Sequence, residues 1–108
     1  MSCLFCRIAA KEIPAAIVYE DEKVLAFNDI APQAPVHILL IPKQHVDSIV
    51  DCKEVNSIFA VIKQIAKEKG IEATGYRIVV NHGRDAGQAV PHLHFHLLGG
   101  RQLNWPPG

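Results

Sequence analysis

The sequence predicts an α+β fold, a mainly antiparallel sheet of about five strands with one long helix packed on it. Three observations carry this prediction. Short runs rich in Val, Ile, Leu and Phe recur between clusters of Gly, Pro, Asn and Asp. One long stretch, with Val55, Ile58, Phe59, Ile62, Ile65 and Ala66, repeats its apolar residues at helical spacing. The run from Pro91 to Leu98 alternates histidine with apolar residues, the period of a strand with one buried face. A chain of 108 residues is the size of one domain, 1–108.

Taken in order, Cys3 to Lys11 reads as a short helix or turn. Leu4, Phe5 and Ile8 share one face, and Pro14 ends it. Ile17 to Glu20 and Val24 to Phe27 are strands of a hairpin turned at Asp21-Glu22-Lys23. Asn28 to Pro35 has two prolines and no period, so it is loop. Val36 to Ile41 is almost continuously apolar, as in a strand buried on both faces. His37 within it reads as a core histidine with its hydrogen bonds satisfied. His45 to Val50 is an irregular turn. Asp51 opens the long helix, with Glu54 as its capping-box partner. Lys63, Lys67 and Lys69 favour the helix's negative end, and Gly70 suits the residue just past it. The helix's apolar stripe reads as core. Gly75 to Asn81 is a further strand, followed by a glycine-containing loop and the histidine-rich strand.

Composition excludes several roles. The formal net charge is zero with no basic run, which disfavours nucleic-acid binding. There is no 18-residue apolar run and no hydrophobic leader, so neither a membrane span nor a signal peptide is expected. Three cysteines, an odd number, fit a reducing cytoplasm better than a disulfide framework. The hydrophobic fraction of 49% is ordinary for a globular chain, and one this small gains from pairing.

The chemistry is concentrated at the end. Three of six histidines fall at His92, His94 and His96. On a strand they line one face at about 6.8 Å intervals, while Leu93, Phe95 and Leu97 face a core. Imidazole in such a row suits two tasks, metal ligation and nucleophilic or acid–base catalysis near neutral pH. Upstream, Asn81 to Val90 is a loop whose Gly83 and Gly87 let backbone N–H groups approach an anion. A phosphate held beside three histidines points to phosphoryl or nucleotidyl transfer more than to a bare metal.

Gly87-Gln88-Ala89-Val90-Pro91-His92-Leu93-His94-Phe95-His96-Leu97-Leu98-Gly99-Gly100 resembles the signature of the histidine-triad family. Further blocks resemble its Hint branch, the purine nucleoside phosphoramidases. These are Lys11 to Ala15, Ala26 to Pro35, Ile41 to His45, Tyr76 to Asn81 and the tail Gly99 to Gly108. The resemblance implies the family's fold, with two sheets joined into ten strands in a homodimer. It implies that His94 attacks the α-phosphorus and that His96 donates to phosphate or leaving group. His45 matches a fourth histidine and His92 is the outermost triad member, so both join the catalytic set. Gly87, Gln88, Ala89 and Val90 match the phosphate loop, with Ala89 where many relatives have serine. Asp29, next to Asn28, matches the carboxylate on the ribose hydroxyls; read alone, it is an Asx-turn residue. Leu4, Phe5, Ile8, Phe27 and Ile30 would form the purine slot, although each reads alone as core. Asn81 would lie between base and phosphate, and Trp105 would reach the other subunit's site.

The implied activity is cleavage of P–N bonds in purine nucleoside phosphoramidates, such as AMP or GMP joined to an amine. Alternatives are a dinucleoside polyphosphate hydrolase, a nucleotide-responsive binding protein and a metal-dependent hydrolase. The pair Cys3-Leu4-Phe5-Cys6 reads alone as a thiol pair, a redox motif or half a zinc site. The resemblance implies a structural zinc on Cys3, Cys6, His45 and His92, with none needed for catalysis and Cys52 left out.

Overall fold

The computed structural model of the chain describes residues 3–108. A short helix α1 (Leu4–Ala9) precedes strands β1 (Ile17–Glu20), β2 (Val24–Asn28) and β3 (Val36–Pro42). The long helix α2 (Val55–Glu68) follows, then β4 (Tyr76–Val80) and β5 (Phe95–Gly99). The five strands make one sheet in the order β1-β2-β3-β5-β4, with every pairing antiparallel. No described helix is long and apolar enough to cross a membrane.

The hairpin turns at Asp21, whose Oδ1 accepts the N–H groups of Lys23 (2.7 Å) and Val24 (2.8 Å). An aspartate at this place mimics a backbone turn. β3 is buried on both faces, as its apolar run predicts. Ile38 and Leu40 meet Ile58, Ile62 and Ile65 of α2, while Leu39 and Ile41 join Phe5, Ile8, Leu25 and Phe27 on the other side. Period-two alternation thus divides one apolar strand between two cores. α2 ends as expected, with Gly70 at φ +72°.

Three boundaries differ from the sequence reading. α1 stops at Ala9, before Pro14, where the backbone turns through Lys11 at φ +65°. α2 begins at Val55 rather than Asp51, which lies in a 3₁₀ turn, Ile49–Asp51, held by Ser48 Oγ accepting from Val50 N–H (3.2 Å). Cys52 is extended, so no capping box from Asp51 to Glu54 forms. Ile49 and Cys52 pack on the α2-side core, and that packing sets the entry to the helix. Finally, β5 begins only at Phe95. The N–H of His92 goes to Val90 O (2.8 Å) and that of Leu93 to Val46 O (2.7 Å), so His92 and Leu93 leave the ladder. The inward set Leu93, Phe95 and Leu97 is nonetheless buried in the α2-side core.

Candidate active site and metal centre

The three histidines of the triad do not converge on one point. The bend before β5 turns each to different partners. His94 is buried, and its Nδ1 lies 2.9 Å from the carbonyl of His92. A carbonyl only accepts, so the neutral ring carries its proton on Nδ1 and its free lone pair on Nε2. The ring of Phe5 packs edge-on against it, with centroids 5.0 Å apart.

His96 is set by a chain of contacts. The N–H of Gln33 donates to His37 Nδ1 (3.0 Å), so neutral His37 carries its proton on Nε2. That nitrogen lies 2.9 Å from His96 Nδ1 and donates to it. His96 therefore presents Nε2–H as its outward donor. Asp29 supports the pair, with Oδ2 at 3.4 Å from His37 Nε2, while its Oδ1 accepts from Ala31 N–H (2.8 Å). The Asx turn and a place at the site coexist in one carboxylate. Burial, then the neighbouring His94 and His37, pushes His96 down to about 4, so it is neutral at pH 7. Burial likewise lowers His37. Asp29, His37 and His96 cluster closely enough to be weighed as a metal site. However, the His37 and His96 centroids stand 5.2 Å apart with nitrogens 2.9 Å apart, so the nitrogens face one another as hydrogen-bond partners.

The loop before the triad is shaped by Gln88. Its Oε1 accepts from Gly83 N–H (2.9 Å), and its Nε2 donates to Val90 O and Asp47 O (3.2 Å each). Gly83 and Gly87 take φ of +84° and +78°, a region that favours glycine. The N–H groups of Ala89 and Val90 have no acceptor among the described residues. Ala89 and Val90 line a cleft of about 560 Å³ with Cys3, Leu4, His45 and Asp47.

The fourth assembly is a Cys₂His₂ cluster. One ligand atom each from Cys3, Cys6, His45 and His92 lies within 4.8 Å of the others. Cys3 Sγ is 3.4 Å from His92 Nδ1, and Cys6 Sγ is 3.2 Å from His45 Nδ1 and 3.5 Å from His92 Nδ1. Zinc–sulfur and zinc–nitrogen bonds of about 2.3 and 2.0 Å give a tetrahedron with S···N edges of about 3.5 Å. Both histidines offer Nδ1 because Nε2 is occupied: His45 Nε2 donates to Asp47 Oδ1 (2.8 Å) and His92 Nε2 to Pro42 O (2.9 Å). Such outer contacts fix the ligating tautomer. Burial lowers His92 despite the Pro42 carbonyl, which keeps it in the neutral, ligating form. Burial and then Cys3 raise the Cys6 thiol, a repulsion that a dication relieves. The residues fit a zinc ion. Cys52 is not in the cluster.

The remaining sequence-predicted residues are spread around this centre. Phe5, Ile8 and Phe27 form an apolar wall, with Phe5 and Phe27 edge-to-face at 5.6 Å. Leu4 is partly exposed and Ile30 wholly so, which suits a ligand contact better than a core position. Asn28 is exposed at the end of β2, Asn81 is half-buried just past β4, and Trp105 is 80% exposed. Sequence reasoning assigned no role to two residues, His37 and Asp47. His37 is buried and hydrogen-bonded, as read, and its partner is His96. Asp47 carries no motif; its only signal is its place two residues after His45.

An antiparallel sheet that sets a histidine triad beside a glycine loop defines a class, the histidine-triad proteins. The HIT domain model matches residues 10–103, and the chain belongs to the HIT domain family. It is 51% identical over 112 residues to a 14 kDa zinc-binding protein of Zea mays, covering 97% of this chain and 87% of that one. A HIT family hydrolase from Legionella pneumophila superposes with a TM-score of 0.94 at 49% identity, over 99% of this chain and all of that one. A histidine triad protein from Clostridium difficile gives 0.91 at 52% identity, over 96% and 95% of the two chains. The fold is that of HIT family hydrolases.

Proposed function

We propose that this chain, as one HIT domain over residues 1–108, hydrolyses purine nucleoside phosphoramidates of the AMP–amine or GMP–amine kind. This places it in the Hint branch of its family. The carrying observation is the 2.9 Å contact of His94 Nδ1 with the His92 carbonyl, which in the neutral ring puts the proton on Nδ1 and the free lone pair on Nε2. In the first half-reaction Nε2 bonds to the α-phosphorus as the P–N bond breaks, and the amine leaves with a proton delivered through His96. In the second, water returns that proton, its oxygen bonds to phosphorus, and the phosphorus–histidine bond breaks. The products are the nucleoside monophosphate and the amine. The N–H groups of Ala89 and Val90 are available to bind the phosphoryl oxygens. Asp29 offers a carboxylate to the ribose hydroxyls, and Phe5, Ile8 and Phe27 offer a wall to the purine.

The same reading includes one zinc per chain on Cys3, Cys6, His45 and His92, which supplies a structural tether and no reaction step. It also includes a homodimer in the cytoplasm, with Trp105 acting near the partner's site. The name of the Zea mays relative supports the metal. Steady-state turnover of AMP–amines, GMP–amines and dinucleoside polyphosphates by wild type and His94→Ala tests the reaction. Faster turnover of the polyphosphates than of any phosphoramidate would reject it.

A further inference from the structure

The loop of residues 83–90 is built into the metal centre. Gln88 spends its whole side-chain amide inside the protein, on Gly83 N–H, Val90 O and Asp47 O. Its own N–H closes the loop on Gly83 O (3.1 Å). Asp47 faces both ways. Its carboxylate accepts from Nε2 of His45, whose Nδ1 is a ligand atom of the Cys₂His₂ cluster, and its carbonyl accepts from Gln88. A second strut runs parallel: His92, another cluster residue, donates its N–H to Val90 O, and Leu93 donates to Val46 O. Hydrogen bonds of 2.8 Å from His45 to Asp47 and 3.2 Å from Gln88 to Asp47 thus connect the ring of His45 to the backbone that carries the N–H groups of Ala89 and Val90, which have no acceptor among the described residues.

We propose that Gln88 is a positioning residue through which occupancy of the Cys3–Cys6–His45–His92 centre sets the shape of the 83–90 loop, and with it the affinity for a nucleotide's phosphate. The inference rests on the nucleotide reading above and adds to it a metal-dependent control of binding. With zinc in place, His45 is fixed, Asp47 is held, and the loop N–H groups are pre-organised for the anion. Without zinc, His45 and Asp47 are released and the loop must be ordered at the moment of binding. By linkage, AMP raises zinc affinity by the same factor as zinc raises AMP affinity.

The test is the ratio of AMP to adenosine affinity, measured by calorimetry on the full chain with and without zinc. Adenosine lacks the phosphate, so the ratio removes any effect of zinc on the purine slot. In wild type the ratio falls roughly 5- to 10-fold when zinc is removed. In Gln88→Met, which keeps length but loses the amide, the ratio is low in both states and changes by no more than about twofold. If zinc-free protein does not stay folded, cobalt(II)-loaded protein replaces it. The thiolate–cobalt absorption band then shifts on adding AMP to wild type and not to Gln88→Met. A ratio indifferent to zinc in wild type, or a full zinc dependence retained in Gln88→Met, overturns the inference alone. Failure of wild type to bind either AMP or adenosine overturns the nucleotide reading and the inference together.

Discussion

His94 and His96 are held in opposite tautomers, because Nδ1 of the first donates and Nδ1 of the second accepts. His94 Nδ1 faces the His92 carbonyl and leaves Nε2 bare, whereas His96 Nδ1 faces His37 and leaves Nε2 with its proton. Replacing His94 by Ala should lower turnover about 10⁴-fold or more with AMP binding nearly intact, measured by single-turnover kinetics and calorimetry. A phosphorus label trapped on wild type should survive base and not acid. The depressed pKa of His96 has a stability consequence. Its folded value of about 4 lies below the ordinary 6.5, so the unfolded chain takes up the proton first as pH falls. The stabilisation is present above about 6.5 and is lost as pH falls through about 4. Urea midpoints should therefore drop across that window, and His96→Asn should flatten the drop; equal slopes in the two proteins would reject the linkage. The triad itself was legible in the sequence, since strict alternation of histidine with Leu and Phe has few other readings. The role of His37 was not, because its partner His96 lies 59 residues away and an apolar strand gives no sign of which polar side chain it will meet.

At the scale of elements, α1 is the weak point. Six residues are too few to hold a helix in water, so α1 depends on its apolar face and on the cysteines that flank Phe5. Cys3→Ser should abolish stoichiometric zinc and cost about 3–5 kcal/mol in denaturant unfolding. Turnover per folded molecule should fall less than stability does. The end of β5 offers a packing test. Gly100 has φ +90°, and a Cβ there would sit 2.9 Å from Pro35 Cβ, whereas at Gly70, φ +72°, a Cβ meets open space. Gly100→Ala should cost about 2–3 kcal/mol and Gly70→Ala about 1 kcal/mol, read as shifts in urea midpoint. The sheet was legible from short apolar runs such as Val36 to Ile41, whose near-continuous hydrophobicity marks a strand buried on both faces. The start of α2 was not, because Asp51 and Glu54 have capping-box spacing while the packing of Ile49 and Cys52, invisible in one dimension, imposes a 3₁₀ turn instead.

At the scale of the molecule, large apolar groups remain on the surface. Phe59 on α2 and Tyr76 on β4 are about two-fifths exposed, and Trp105 is mostly so. Burial of these groups against a second copy is the expected outcome, with sedimentation at micromolar concentration giving twice the 11.9 kDa chain mass. Trp105→Gly should leave that mass unchanged and alter selectivity among amine leaving groups. The strand order has a different consequence, for the order of events as the protein is made. β4 pairs only with β5, and β5 lies between β3 and β4 although it is the last strand in the chain. While a ribosome is still synthesising the loop, β1, β2 and β3 can form a meander, but β4 has no strand to join. Emergence of Phe95 to Gly99 closes the sheet and, in the same stroke, delivers His92, His94 and His96 to His37 and the two cysteines. A nascent chain stalled before Phe95 should be protease-sensitive and inert, and one released beyond Gly99 should gain resistance and nucleotide affinity together.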